Sequence, residues 1–349
     1  GRGGKGSNSA NLLEEDFVEQ LFVANTHDHL LFITSEGKAY WLKVHEIPES
    51  SRQARGAHIK SLLAISPNEE ITTVIDFKHF SGSQYLLMGT LKGVVKKVAL
   101  SAFVNAKTRG IIAIHLDEGD RLVSACLTGG QDEVMLITRK GQALRIHESQ
   151  VRAMGRASRG VRGIRLSDDD ELASMLRVNN QQDMALITIN GYGKRVAYDS
   201  FNAHGRGTGG QMIYVPDDLS GEIVGAVSIS EEDEAMLITS QGKTIKIQAS
   251  SVRVMGKGAR GVRVVNIDPP DFVIGLDRIV RDEVDAGEAE KPGAENGEGA
   301  GNAGIIGITG GAAAEQPSGE TGKTETNGDQ DDPDAADEGG DEDGVESGD

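Results

Sequence analysis

Val134-Met135-Leu136-Ile137-Thr138-Arg139-Lys140-Gly141-Gln142-Ala143-Leu144-Arg145-Ile146 reads as strand, tight turn, strand. The apolar run is too short for a helix, and it ends at a polar pair and Gly141, a residue free to take the left-handed backbone of a hairpin turn. The same spelling, Thr-x-x-Gly after an apolar run, occurs from Thr34 to Gly37, Thr90 to Gly93, Thr188 to Gly191 and Thr239 to Gly242. Two further landmarks keep step with it. A Gly-centred turn falls at Gly3, Gly56, Gly110, Gly160, Gly210 and Gly261, preceded by Arg in every copy except Gly210, with successive spacings of 53, 54, 50, 50 and 51. An acidic residue stands just ahead of an apolar strand opening before Phe17, Ile71, Leu122, Leu172, Ile223 and Phe272.

Self-similarity at about fifty residues marks a propeller-like or solenoid array, in which each unit is one supersecondary motif. No stretch shows clear apolar positions at helical spacing, so the reading is all β. One period holds four short strands and their turns, the size of a propeller blade. Only five Thr-x-x-Gly hairpins accompany the six Gly-centred turns, so the last blade is expected to be shorter or to be completed by the N-terminal segment. The near-copies Val151-Arg-Ala-Met-Gly155 and Val252-Arg-Val-Met-Gly256, two repeats apart, support the register.

Composition divides the chain. Residues 282–349 carry 21 Asp and Glu against Lys291 and Lys323, a net −19, which leaves residues 1–281 at +1 with 34 basic and 33 acidic side chains. A segment rich in Gly, Ala, Glu and Asp, with no aromatic residue, buries too little apolar surface to offset its ordering entropy. We expect one repeat-built domain over 1–281 and a disordered acidic tail over 282–349. The single cysteine, Cys126, excludes an intrachain disulfide, and no apolar run approaches the ~20 residues of a membrane span. With no signal-like N-terminus, a soluble cytoplasmic protein is expected.

Positive charge recurs in register. One set surrounds the hairpin turns: Lys38 and Lys43; Lys92, Lys96 and Lys97; Arg139, Lys140 and Arg145; Lys194 and Arg195; Lys243 and Lys246. A second set precedes the Gly-centred turns: Arg52 and Arg55; Lys107 and Arg109; Arg152, Arg156 and Arg159; Arg206; Arg253, Lys257 and Arg260. Lys and Arg in turns are usually just solvated, but charges placed for solubility have no reason to repeat at matched positions. A basic stripe on a nearly neutral domain points to a polyanion, and backbone phosphates of duplex DNA fit, read without regard to sequence.

Several motifs lead nowhere. Gly1-x-Gly3-x-x-Gly6 and Gly205-x-Gly207-x-x-Gly210 spell a dinucleotide fingerprint without the strand and helix it needs. Gly319-Glu-Thr-Gly-Lys-Thr324 has two residues between its glycines where a phosphate loop has four. His27-Asp-His29 offers two ligands with nothing to complete a metal site. No catalytic constellation emerges.

Arg2-Gly3-Gly4-Lys5-Gly6 combines two cations with glycines that let the backbone approach a phosphate run. It resembles the signature box of bacterial DNA gyrase A, Gln-Arg-Arg-Gly-Gly-Lys/Arg-Gly. Glu14 to Phe17, Val23 to His29, Val151 to Gly155 and Asn190 to Arg195 are similar to gyrase A as well. The resemblance covers residues 2–281 and implies a six-bladed β-pinwheel that wraps duplex DNA in a positive superhelical turn. It also implies DNA contact by Arg2, Gly3, Gly4 and Lys5. The partners it implies are the remainder of gyrase A and the gyrase B protein in an A2B2 heterotetramer, with the isolated domain monomeric. The DNA-cleaving tyrosine lies elsewhere in gyrase A and ATP hydrolysis in gyrase B, so this segment needs no cofactor although the holoenzyme uses ATP and Mg. The expected location is the chromosome-associated bacterial cytoplasm. Gly1 stands at the box's first Arg and the Gln is absent, so the segment is expected to begin inside a longer protein. The C-terminal domain of topoisomerase IV is the near alternative, but its box is degraded or absent. A protein-interaction propeller is a second alternative and an enzymatic propeller a third.

Overall fold

The computed structural model describes residues 28–47 and 62–279, together with the backbone of two further strands, Phe17–Asn25 and Ala303–Gly310. Each Thr-x-x-Gly is a hairpin. The glycine N–H donates to the threonine carbonyl at 2.9–3.1 Å, and the glycines take φ from +74° to +88°. The buried threonine hydroxyl also accepts the next N–H, as Thr138 does from Gln142 at 3.0 Å. At Gly141 any side chain is excluded outright, since a Cβ there would sit 2.0 Å from the Tyr214 carbonyl oxygen.

The hairpins build five blades. Blade I pairs His29–Thr34 with Lys38–Lys43, flanked by Ile71–Phe77 and Ile111–Ile112. Blade II holds Tyr85–Thr90, Val94–Ala99, Leu122–Thr128 and Val161–Arg162. Blade III holds Glu133–Thr138, Gln142–His147, Leu172–Arg177 and Gln211–Met212. Blade IV holds Asp183–Thr188, Tyr192–Ala197, Ile223–Ile229 and Val262–Arg263. Blade V has three strands, Glu234–Thr239, Thr244–Gln248 and Val273–Ile279. All pairings are antiparallel.

The fourth strand is not the repeat's own. After the second hairpin of the series the chain returns through Gly110 to lay Ile111–Ile112 against Lys38–Lys43 of blade I, and this exchange recurs at blades II, III and IV. The hydrogen-bonded edge that results is too short to show as a periodicity. The third strand of every blade carries an irregularity at the same place, directly after its pairing with the hairpin threonine, as between Leu172 and Ser174.

First hairpin strands are buried on both faces, with four or more consecutive buried residues in each. That explains their unbroken apolar spelling, which an open sheet would alternate. The cores lie between blades: Leu31 and Ile33 of blade I pack with Leu86 and Met88 of blade II, and Met135 and Ile137 of blade III with Met184 and Leu186 of blade IV.

The expectation of six blades is corrected to five among the described residues, four of them four-stranded. Among the described residues blade V shows no fourth strand. The acidic tail also departs from expectation at one place. Ala303–Gly310, Ala-Gly-Ile-Ile-Gly-Ile-Thr-Gly, is an extended strand paired antiparallel with Phe17–Asn25. Its three isoleucines and threonine give it the β propensity that the surrounding acidic sequence lacks. The rest of 282–349 lies outside the described residues.

Candidate nucleic-acid interface

The Gly-centred turns form loops that lead into the exchanged fourth strands. Gly110, Gly160, Gly210 and Gly261 take φ of +69°, +95°, +78° and +88°, and a Cβ on Gly160 would meet the Val95 carbonyl oxygen at 2.6 Å. Glycine is therefore required both by conformation and by the closeness of the neighbouring strand. Successive loops are bonded sideways. Ala64 N–H donates to the Thr108 carbonyl at 2.8 Å, His115 N–H to Ser158 at 3.0 Å, and Arg165 N–H to Thr208 at 2.9 Å. Side chains repeat the link: Arg156 Nη1 donates to the Ile112 carbonyl at 3.2 Å and Lys257 Nζ to Gln211 Oε1 at 2.9 Å. Ion pairs join Arg159 to Asp117 at 2.8 Å and Arg260 to Asp217 at 2.6 Å. A laterally bonded band of basic loops thus crosses consecutive blades.

The two predicted basic sets separate. Of the hairpin-turn set, Lys96, Lys97, Lys194 and Arg195 are 0–6% exposed, and Arg145 is nearly buried. These five are corrected from phosphate ligands to structural cations. Lys96 Nζ donates to the carbonyls of Ala113 and Ser158, each at 2.8 Å, and to that of Arg156. Lys194 Nζ donates to Gly256, Lys257 and Ala259 at 3.1, 2.8 and 2.7 Å. Burial pushes both amines down to about 8, and the Arg156 guanidinium adds to the effect at Lys96. Lys97 meets the fully buried Glu148 at 3.4 Å, and Arg195 meets Asp183 at 3.2 Å and the Val252 carbonyl at 2.7 Å. Arg145 pairs with Glu133 and donates to the carbonyls of Tyr198 and Phe201.

Most of the remaining hairpin cations are held locally. Lys38 faces Glu36 and Glu69, Arg139 faces Glu171 and Glu222, Lys243 faces Asp271, and Lys246 faces Glu234, at 2.6–3.4 Å. Lys92 and Lys140 donate to the carbonyls of Glu118 and Asp168, while Lys43 is exposed. The second set fares differently: Lys107, Arg109, Arg152, Arg159, Arg206, Arg253 and Arg260 are exposed, and Arg156 and Lys257 are half-buried. Arg2, Gly3, Gly4, Lys5, Arg52 and Arg55 lie outside the described residues.

Sequence reasoning missed Arg162, Arg165 and Arg263, exposed just after the turns. The repeated Gly-Val-Arg at Gly160 and Gly261 could have revealed two of them. Blades I and III instead present the exposed Ile112 and Met212 at that position.

The acids ahead of third strands staple each hairpin turn. Asp170 Oδ1 accepts the N–H groups of Lys140 and Glu171 at 3.0 and 2.8 Å, and Asp120 and Asp271 do the same in their blades. Among the described residues no group of His, Cys, Asp and Glu is arranged to hold a metal. His29 packs against Trp41, Phe77 and Phe80, and His27 lies outside the described residues.

Comparison with known proteins follows this geometry closely. A family model described as "DNA gyrase C-terminal domain, beta-propeller" matches residues 1–25, 28–77, 84–125, 132–179, 182–230 and 233–279, in step with the repeat. The chain belongs to the DNA gyrase C-terminal domain family. It is 62% identical over 280 residues to the DNA gyrase A protein of Treponema pallidum (strain Nichols), covering 80% of this chain and 34% of that protein. Against the gyrase A protein of Escherichia coli (strain K12) the identity is 38% over 296 residues, 84% of this chain and 34% of that one. The chain thus spans about a third of the gyrase A proteins it matches. Its fold is similar to a solved gyrase A C-terminal domain, with a TM-score of 0.70 and 29% identity over 80% of this chain and 92% of the other. A topoisomerase IV C-terminal domain follows with a TM-score of 0.65 and 27% identity over 73% and 80%.

Proposed function

We propose that this chain binds duplex DNA independently of sequence and wraps it along the band of Gly-centred loops, as the wrapping domain of a gyrase. The observation that carries the reading is the lateral bonding of basic loops across consecutive blades, which makes a continuous track out of charges far apart in sequence. Wrapping has to offset the cost of bending, about 1–6 kcal/mol for 40–90° over 20–30 base pairs. Contacts distributed over many blades suit that requirement. The positive sense of the wrap, its use in negative supercoiling and the assembly with the rest of gyrase A and with gyrase B rest on family membership. The catalytic tyrosine and the use of ATP and Mg then belong to those other parts.

The sixth blade belongs to this proposal. Thr309 pairs with Val18, and the pairing shifts directly afterwards, between Val18 and Gln20. Thr239 and Val273 of blade V pair in the same way with the same shift. Phe17–Asn25 also contacts Val273–Ile279, as third strands of neighbouring blades contact each other elsewhere. The sixth unit takes its first strand from the acidic segment and its third from the start of the chain, and the box precedes that third strand.

The test is a gel-shift titration with random-sequence duplex over a salt series. With the loop cations Lys107, Arg109, Arg156, Arg159, Arg206, Lys257 and Arg260 reaching phosphate, log K should fall with log salt at a slope near −6, from about −0.9 per contact. Binding that is weak and indifferent to salt refutes the reading and favours a peptide-binding propeller.

A further inference from the structure

Two of the Gly-centred loops share a spelling. Gly155-Arg156-Ala157-Ser158-Arg159-Gly160 and Gly256-Lys257-Gly258-Ala259-Arg260-Gly261 both read glycine, cation, two small residues, cation, glycine. Loop 205–210, Gly-Arg-Gly-Thr-Gly-Gly, lacks the second cation. A difference between blades lies underneath. Three residues after the hairpin glycine stand Lys96 in blade II and Lys194 in blade IV, but Tyr40, Leu144 and Ile245 in blades I, III and V. Each lysine sits beneath a loop of the two-cation kind.

A buried ammonium has a directional effect on such a loop. Lys96 draws the carbonyls of Arg156 and Ser158 inward, and Lys194 those of Lys257 and Ala259, at matched positions. In a trans peptide the N–H points opposite to the C=O of the same unit. The amides of Ala157 and Arg159, and of Gly258 and Arg260, are therefore turned away from the lysine. None of these four amides has an acceptor among the described residues. Two outward amides between two cations form a concavity suited to a phosphate oxygen.

Resting on the DNA-binding reading, we propose that Lys96 and Lys194 are positioning residues that hold loops 155–160 and 256–261 as phosphate grips, so that strong contacts recur at every second blade. The lysines touch no DNA themselves. Where blade III has Leu144, no buried ammonium lies beneath the loop, and Arg206 donates to the carbonyls of Gln150 and Arg162.

The test uses the full chain with Lys96→Met and Lys194→Met together, which keep side-chain length and remove the donors. The control is Leu144→Met in blade III. Loss of four organised cations, Arg156, Arg159, Lys257 and Arg260, should make the salt slope of duplex binding shallower by about 2–4, from about 0.9 per contact, while the control leaves it unchanged. A change in the folded fraction alone lowers affinity at every salt concentration and leaves the slope as it was. An unchanged slope in the double variant overturns the proposal. Wild-type chain that shows no salt-dependent binding overturns the DNA reading instead.

If the double variant does not fold, pH decides on the wild-type chain. Raising pH from about 7 to about 9.5 takes both amines through their lowered range, leaving each with two donors for three carbonyls. Arg156 faces Lys96, and the Tyr214 ring, whose hydroxyl is pushed up by burial, faces Lys194 at 5.9 Å. The slope should be shallower at the higher pH, and equal slopes overturn the proposal.

Discussion

Glu148→Gln separates a structural cation from a DNA contact. Glu148 is fully buried beside blade II, and every group that faces it is a donor. Oε1 accepts the N–H groups of Gly130 and Asp132, each at 2.8 Å, and Oε2 accepts Thr128 Oγ1 at 2.8 Å and Lys97 Nζ at 3.4 Å. An amide has one acceptor atom and one donor atom; with its NH2 on the Oε2 side it can donate to Thr128 Oγ1, whose hydroxyl turns to accept, but it meets the Lys97 ammonium. One buried donor left unmatched puts the cost at about 1–3 kcal/mol. Lys97→Met leaves a buried carboxylate without its counter-ion, though with three neutral donors, so the cost should be at the low end of about 3–5 kcal/mol. Urea unfolding followed by circular dichroism measures both. Lys97 is also one of the cations that the sequence placed on the DNA track, so the same variant is titrated with duplex over a salt series. Its slope should match the wild type. If Lys97→Met costs nothing, the reasoning about the buried pair fails; if its slope shallows, Lys97 reaches phosphate after all.

Gly141→Ala should destabilise by at least about 2 kcal/mol in urea, because a left-handed residue acquires a Cβ 2.0 Å from a carbonyl oxygen; Gly155→Ala, with open space around it, should cost under about 1 kcal/mol. Stability should rise as pH increases from about 8 to 10, since Lys96 and Lys194 hold their protons more weakly folded than unfolded, and unfolded chain binds more protons across that window. Comparing urea midpoints of wild type and the double methionine variant at both ends isolates this gain, and equal shifts in the two proteins refute it. Cys126 is half-buried and burial pushes its thiol up to about 12, so an aromatic disulfide reagent at pH 8 should label unfolded chain faster than native chain. Truncation after Gly310 removes most of the acidic segment but keeps its strand, and should raise duplex affinity at low salt. Truncation after residue 281 removes both, and should lower the thermal midpoint as well; identical midpoints would show that Ala303–Gly310 contributes nothing.

The hairpins were legible because a tight turn has chemical requirements, and Thr-x-x-Gly states two of them: a hydroxyl to take the following amide and a residue free of Cβ. The repeat was legible for the same reason. The exchanged fourth strands were not, since two residues such as Ile111 and Ile112 define no period and their partners lie about seventy residues back in the chain. Lys96 and Lys97 were misread through a sound rule applied in the wrong setting. Neighbours on a strand face opposite ways, so in an open sheet at least one would be solvated. In a blade packed between two others both faces are interior, and each lysine found carbonyls or a carboxylate. The described members of the second basic set are exposed or half-buried because they belong to loops, where a long charged side chain has little covering layer.

Strand exchange puts the frame of the sequence repeat out of step with the frame of the blade. A genetic duplication or loss of one whole repeat, begun at any point inside the array, removes or adds one hairpin, one third strand and one fourth strand together. Every interior blade stays complete, although no contiguous stretch of one period encodes a blade. Only the chain ends are left with an odd piece. Lineages can therefore lengthen or shorten this array in single steps without exposing an unpaired edge within it, and selection on how it closes falls on its first and last strands.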